Sequence, residues 1–120
     1  MKTDAKERKA TPMARGLLDY FPDALAAVAE LSRIGNEQHN PGQPMHWSRE
    51  KSTDHADCII RHMVDRGKPD TDGVLHSTKV AWRALAQLQL ELEAQPRPVA
   101  SPHEDHIHDE LYRQPGDLPF

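Results

Sequence analysis

The chain has 120 residues, 37% of them hydrophobic, 5% aromatic and 28% charged, with a formal net charge of −4 and a pI near 6.0. That allows one small domain with a marginal core, favours helices over an aromatic-rich sheet, and supplies no overall attraction for nucleic acid or anionic lipid. The single cysteine, Cys58, excludes an intrachain disulfide and suits a reducing cytosol, and the longest small-apolar run, 24–29, is too short to cross a bilayer.

Residues 1–12 mix Lys2, Lys6, Arg8 and Lys9 with Asp4 and Glu7, and are expected to form a mobile basic arm ahead of a helical domain at 13–95. Pro22 and Asp23 make a good helix entry, so a first main helix is predicted over 22–36, with Ala24, Ala27, Val28, Leu31 and Ile34 on its apolar stripe. Glu30, Arg33 and Glu37 form a second stripe at i, i+3, i+7. On periodicity alone this is more often a solvated face with a local ion pair than a site. Gly35 and Asn36 are expected to end the helix. The connection 36–51 is long for a compact domain, and His39, Asn40, His46 and Trp47 argue that it is ordered. Trp47 can stack on a base, although a loop tryptophan more commonly packs onto its own domain.

Ser52 or Thr53 should cap a second helix, predicted over 53–66. Ala56, Ile59, Ile60 and Met63 mark its packing face, Asp54, Asp57, Arg61 and Asp65 the charged one, and Cys58 falls on the polar flank. Gly67 and Pro69 end it, and the turn Asp70-Thr71-Asp72-Gly73 leads to a third helix, 73–94, stopped by Pro96. The two helices form an antiparallel hairpin. Val74, Ala81, Ala84, Leu85, Leu88 and Leu92 read as the main seam of the last helix. Leu75, Trp82, Ala86 and Leu90 form a second strip that three short helices do not cover, so a homo-oligomer is expected. Beyond it, 96–120 is Pro-rich and acidic and is expected to be extended; its His103, His106 and His108 match no closed metal site. The fold expected is therefore all-α, a small bundle of three main helices completed by oligomerisation.

Three polar stripes can meet in such a bundle. Glu30 with Glu37, and Asp54 with Asp57, offer carboxylates at helical spacing for a hard cation, Mg²⁺ or Mn²⁺. His76, Lys79 and Arg83 offer cations for phosphates, and His62 can orient a water or a sugar. The acids taken alone are mostly a solvated face; should they hold no metal, the next places to look are His39, Asp72 and His76.

The segments LLDYFPDALAAVAELSRIGNEQHNPGQPMHW, DHADCIIRHMVDRG and DGVLHSTKVAWRALAQLQLELE give the chain a resemblance, over 16–93, to the phage and prophage proteins of the dATP/dGTP diphosphohydrolase N-terminal family. The residues that carry it are Trp47, Arg61 with His62, and Gly73 with His76. The resemblance implies hydrolysis of dGTP or dATP to the monophosphate and pyrophosphate with a divalent metal, in a helical fold similar in style to MazG-like enzymes. On that activity the polar stripes are expected to supply metal ligation by Glu30, Glu37, Asp54 and Asp57, chemistry at Asp57 and His62, and nucleotide contacts from Trp47, Arg61, His76, Lys79 and Arg83. The MazG-like pattern Glu-x-x-Glu, later Glu-x-x-Asp, is absent as such, with Asp54-x-x-Asp57 its nearest counterpart. The expected setting is the cytoplasm of an infected or lysogenic bacterium. The rival reading is a non-enzymatic phage accessory or structural protein, located in the virion and bound to phage or host proteins through its tails. An HD-type phosphohydrolase lacks its His-Asp dipeptide here, and a nucleic-acid binder would need a shorter inter-helix loop and a basic surface.

Overall fold

A computed structural model of the chain describes residues 4–96. The expected tail, with His103, His106 and His108, lies outside them apart from Pro96. The fold is all-α: α1 (Ala5–Lys9), α2 (Pro22–His39), α3 (His55–Val64) and α4 (His76–Ala94), with one turn of π-helix at Ala14–Leu18 and one of 3-10 helix at Arg49–Lys51. No strand occurs among the described residues, only an isolated antiparallel bridge between Pro69 and Leu75. The basic segment expected as an arm carries α1, whose first turn is capped by Asp4 Oδ1 accepting from the Lys6 and Glu7 amides.

The last helix organises the rest. It packs along α3 as the second arm of the hairpin and against α2 on another side, while α2 and α3 do not pack on each other. A cleft therefore opens between them. Helix α2 runs past Gly35 to His39, longer than expected. A helical glycine weakens a helix by only about 1 kcal/mol, and here Asn36 Nδ2 donates to the Gln43 carbonyl at 2.9 Å, folding the following loop back onto the helix end. That brings the last turn of α2 to the cleft. Helix α4 starts at His76 and not near Gly73, because the bridge to Pro69 keeps Leu75 extended. Helix α3 begins after Asp54, which accepts no side-chain capping bond, so neither Ser52 nor Thr53 is its cap.

Two expected packing faces are rotated. In α3 the inward face is His55, Cys58, Ile59 and His62; Cys58 is 2% exposed and His55 3%, whereas Ile60 is 65% exposed and Met63 and Val64 also face out. Polar side chains can occupy that interior because each finds a partner, His55 with Arg83, His62 with His76 and Cys58 with Arg61. In α4 the expected main seam is the outer one: Leu85, Leu88 and Leu92 are each about half exposed, while Ala86 is buried and Trp82 and Leu90 are half-buried. Trp82 sets this rotation. Its Nε1 donates to Ser32 Oγ of α2 at 2.9 Å, and its ring meets that of Trp47 edge-on at 5.9 Å. Of the strip expected to need a second subunit, Trp82, Ala86 and Leu90 are thus at least partly covered within the chain while Leu75 stays 46% exposed, and a second strip, through Leu88, is left open.

Candidate functional site

The hairpin turn builds the first half of the site. Gly67 and Gly73 take φ values of +81° and +83°, which side chains with a Cβ rarely adopt, and so reverse the chain over few residues. Asp70 and Asp72 hold the turn with their own carboxylates, on the amides of Thr71 at 2.7 Å and Val74 at 3.0 Å. The remaining carboxylate oxygens receive Lys79 Nζ, at 2.7 Å from Asp70 and 2.9 Å from Asp72. The Lys79 hydrogen bond, followed by that from Thr71, holds the Asp70 carboxyl down at about 2. Burial alone would lower the Lys79 pKa, but its two carboxylate partners outweigh that and raise it.

His76 sits at the first turn of α4 with Nε2 3.8 Å from Asp70 Oδ1, and its Nδ1 meets His62 Nδ1 at 2.8 Å. In that contact one ring nitrogen must carry the proton and the other accept it, and a metal ion held by both rings would displace that proton. Burial lowers the His62 pKa, with His76, Lys79 and Arg61 adding to the effect and Asp70 opposing it. His62, Asp70 and His76 each offer one ligand atom within 4.8 Å of the others, a candidate His/Asp metal site.

The second half is the cleft, a pocket of about 320 Å³. Its walls are Ser32, Asn36 and His39 of α2, His46 to Ser48 of the loop, His55 and His62 of α3, Asp72 of the turn, and Lys79, Trp82 and Arg83 of α4, among others. Trp47 and Trp82 give it an aromatic wall, and the Arg49 guanidinium lies 4.4 Å from the Trp47 ring centre while pairing with Glu93 of α4. Arg83 donates to His55 Nδ1 at 3.2 Å. Burial lowers the His55 pKa, Arg83 lowers it further, and Asp54 works the other way.

A cleft lined by aromatic rings, an arginine and one histidine of a His/Asp cluster is a fitting receptacle for a phosphorylated aromatic ligand. The family model described as dATP/dGTP diphosphohydrolase, N-terminal, matches residues 2–97. The chain belongs to this family. No curated protein and no solved structure matches it significantly.

In this member of the dATP/dGTP diphosphohydrolase N-terminal family, the fold gathers some of the residues singled out in the sequence and not others. Trp47, His62, Lys79 and Arg83 line the pocket, and His76 adjoins it through His62. Arg61 is directed to Cys58, with its Nη2 3.2 Å from Sγ. Glu30 and Glu37 are exposed and pair with Arg33, at 3.7 and 3.0 Å. Asp54 and Asp57 are exposed, and none of these four acids borders the pocket. Three participants went unnoticed as site residues: Asn36, His55 and Asp70. Asp70 had a legible signal, since it opens an Asp-x-Asp-Gly turn that directly precedes a histidine-led helix. His55 had none, because its inward orientation depends on Arg83, 28 residues away.

Proposed function

We propose that the protein hydrolyses a purine deoxynucleoside triphosphate, dGTP or dATP, to the monophosphate and pyrophosphate, with the nucleotide in the cleft and a divalent metal held by His62, Asp70 and His76. The reading rests on membership of the family together with one observation: the aromatic wall, Arg83 and His62 border a single pocket, and His62 belongs to a His/Asp cluster with Asp70 and His76 just behind it. Water adds to the α-phosphorus, the bond from that phosphorus to the α–β bridging oxygen breaks, and pyrophosphate leaves.

Two imidazoles and a carboxylate are a mixed nitrogen and oxygen set. Mg²⁺ prefers oxygen, so these residues fit Mn²⁺ better. Such an ion would act as a Lewis acid toward a phosphoryl group. His62 then serves as a ligand and not as the residue that orients water. Arg83 offers the pocket a permanent positive charge for the phosphates. Lys79 is half-neutralised from either side by Asp70 and Asp72, so it chiefly fixes the turn that carries Asp70. Trp47 and Trp82 supply flat apolar surface for the base, and the carboxylates on the outer helix faces remain solvated.

The test is turnover of each of the four dNTPs by the full chain with Mn²⁺ and with Mg²⁺, resolving monophosphate and pyrophosphate by ion exchange. Pyrophosphate from dGTP or dATP, faster with Mn²⁺, is the expected result. Nucleotide binding with no product under either metal would favour the non-enzymatic accessory reading.

A further inference from the structure

Two buried polar atoms at the pocket have no hydrogen-bond partner in the structure, His55 Nε2 and Asn36 Oδ1. Both side chains line the pocket. What each atom can do is fixed by the other end of its group. Arginine only donates, so the contact with Arg83 makes His55 Nδ1 an acceptor and leaves the proton of the neutral ring on Nε2. Asn36 Nδ2 donates to the Gln43 carbonyl, which leaves Oδ1 as an acceptor. The wall therefore holds one desolvated donor and one desolvated acceptor. Native proteins rarely leave either unpaired, because the lost solvation is not recovered.

We propose that His55 Nε2–H and Asn36 Oδ1 read the hydrogen-bonding edge of the nucleotide's base. The inference rests on the nucleotide reading above and assigns the residues that recognise the base. The His55 ring is 3% exposed, so bulk water does not replace the missing partner of its proton. The base must present an acceptor to His55 and an N–H to Asn36. Adenine does so with N7 and its 6-amino group, and guanine with O6 and N1–H, each pair lying on one edge of the ring system. Trp82 lies beside this edge, its ring centre 6.5 Å from that of His55, which joins the polar reading to the aromatic wall.

Binding separates this proposal from the question of catalysis. The full chain is titrated, by isothermal calorimetry, with dAMP, with the analogue lacking the 6-amino group, and with 7-deaza-dAMP, which lacks the N7 acceptor. The wild type should bind dAMP roughly 5- to 150-fold more tightly than either analogue, the range expected for leaving one buried partner unmet. In Asn36→Leu the preference over the analogue without the amino group should vanish while that over 7-deaza-dAMP remains; His55→Phe should show the reverse. If His55→Phe fails to fold, the two analogues on the wild type and on Asn36→Leu still decide the matter. Equal binding of all three ligands by the wild type, or unchanged discrimination in Asn36→Leu, would overturn the assignment and leave the two atoms to ordered water. No binding of any of the three would instead overturn the nucleotide reading, and this inference with it.

Discussion

His62 and His76, fourteen residues apart in sequence, meet Nδ1 to Nδ1 at 2.8 Å across the α3–α4 hairpin, with Asp70 on the far side of His76. If these three hold the catalytic metal, Asp70→Asn and His76→Ala should each lower Mn²⁺-dependent turnover by at least 100-fold, since losing one of three ligands removes much of the affinity. Each should also abolish the rise in melting temperature that Mn²⁺ gives the wild type. Asp57→Asn should change neither. Should Asp57→Asn lose turnover while Asp70→Asn retains it, the ligands lie on the acidic helix face and the His/Asp cluster is structural.

Lys79 is 18% exposed and bridges both acids of the turn, which makes it a structural cation as much as a ligand for phosphate. Lys79→Ala leaves Asp70 and Asp72 facing each other without a counter-charge. The melting temperature should fall by several degrees, and nucleotide affinity should fall with it. Thermal unfolding with and without nucleotide checks this: a variant of wild-type stability that merely binds weakly would show that Lys79 serves the ligand alone.

Stability should decline on mild acidification. Burial depresses the pKa of both His55 and His62 below the ordinary 6.5, so below about that pH the unfolded chain takes up protons that the folded one refuses. Their stabilising contribution is complete above 6.5 and is lost as pH falls from there through the two folded-state values. Asp70 acts later, because its folded pKa of about 2 lies under the usual 3.8, and its contribution is lost only below the latter. Melting curves from pH 8 to pH 4 should show the first drop near pH 6. His62→Gln should reduce that drop, and a wild-type curve flat down to pH 5 would contradict it.

The helices themselves were legible in the sequence because Pro22, the Gly67–Pro69 break and Pro96 are strong local signals, and the periodicity between them is helical. The rotation of each helix was not. Ile60 and Met63 look like core in α3, yet the side chains that face α4 are His55 and His62, and only the tertiary partners Arg83 and His76 make that tolerable. That Lys79 and Arg83 would lie together was legible, because they share a polar face of α4 with His76, and both line the cleft. The placement of the acidic stripes was not legible in the same way: Glu30 and Glu37 have the spacing of ligands, but Arg33 lies between them and pairs with both on an exposed face. Spacing along one helix says nothing about which way that helix is turned, whereas a cluster such as His62, Asp70 and His76 exists only once a turn has closed.

The outer leucines make the last prediction. Leu85, Leu88 and Leu92 lie about one, two and three turns along α4 from Trp82, and together with Val28 they line an apolar groove floored by Trp82 and Trp47, the same rings that wall the pocket. Covering the exposed halves of three leucines would contribute roughly 3 kcal/mol per chain, which is substantial for a fold whose fully buried residues among those described are only His55, Cys58 and Ala86. A second copy burying this groove would also brace the tryptophans from behind. Leu88 is the central residue, 50% exposed. Leu88→Glu should therefore shift the protein toward monomer in sedimentation velocity and weaken nucleotide binding together, although residue 88 does not border the pocket. Wild-type protein that is already monomeric at micromolar concentration, with Leu88→Glu binding nucleotide as well as the wild type, would mean that the groove is not an interface and that the tryptophans are held by Ser32 and Arg49 alone.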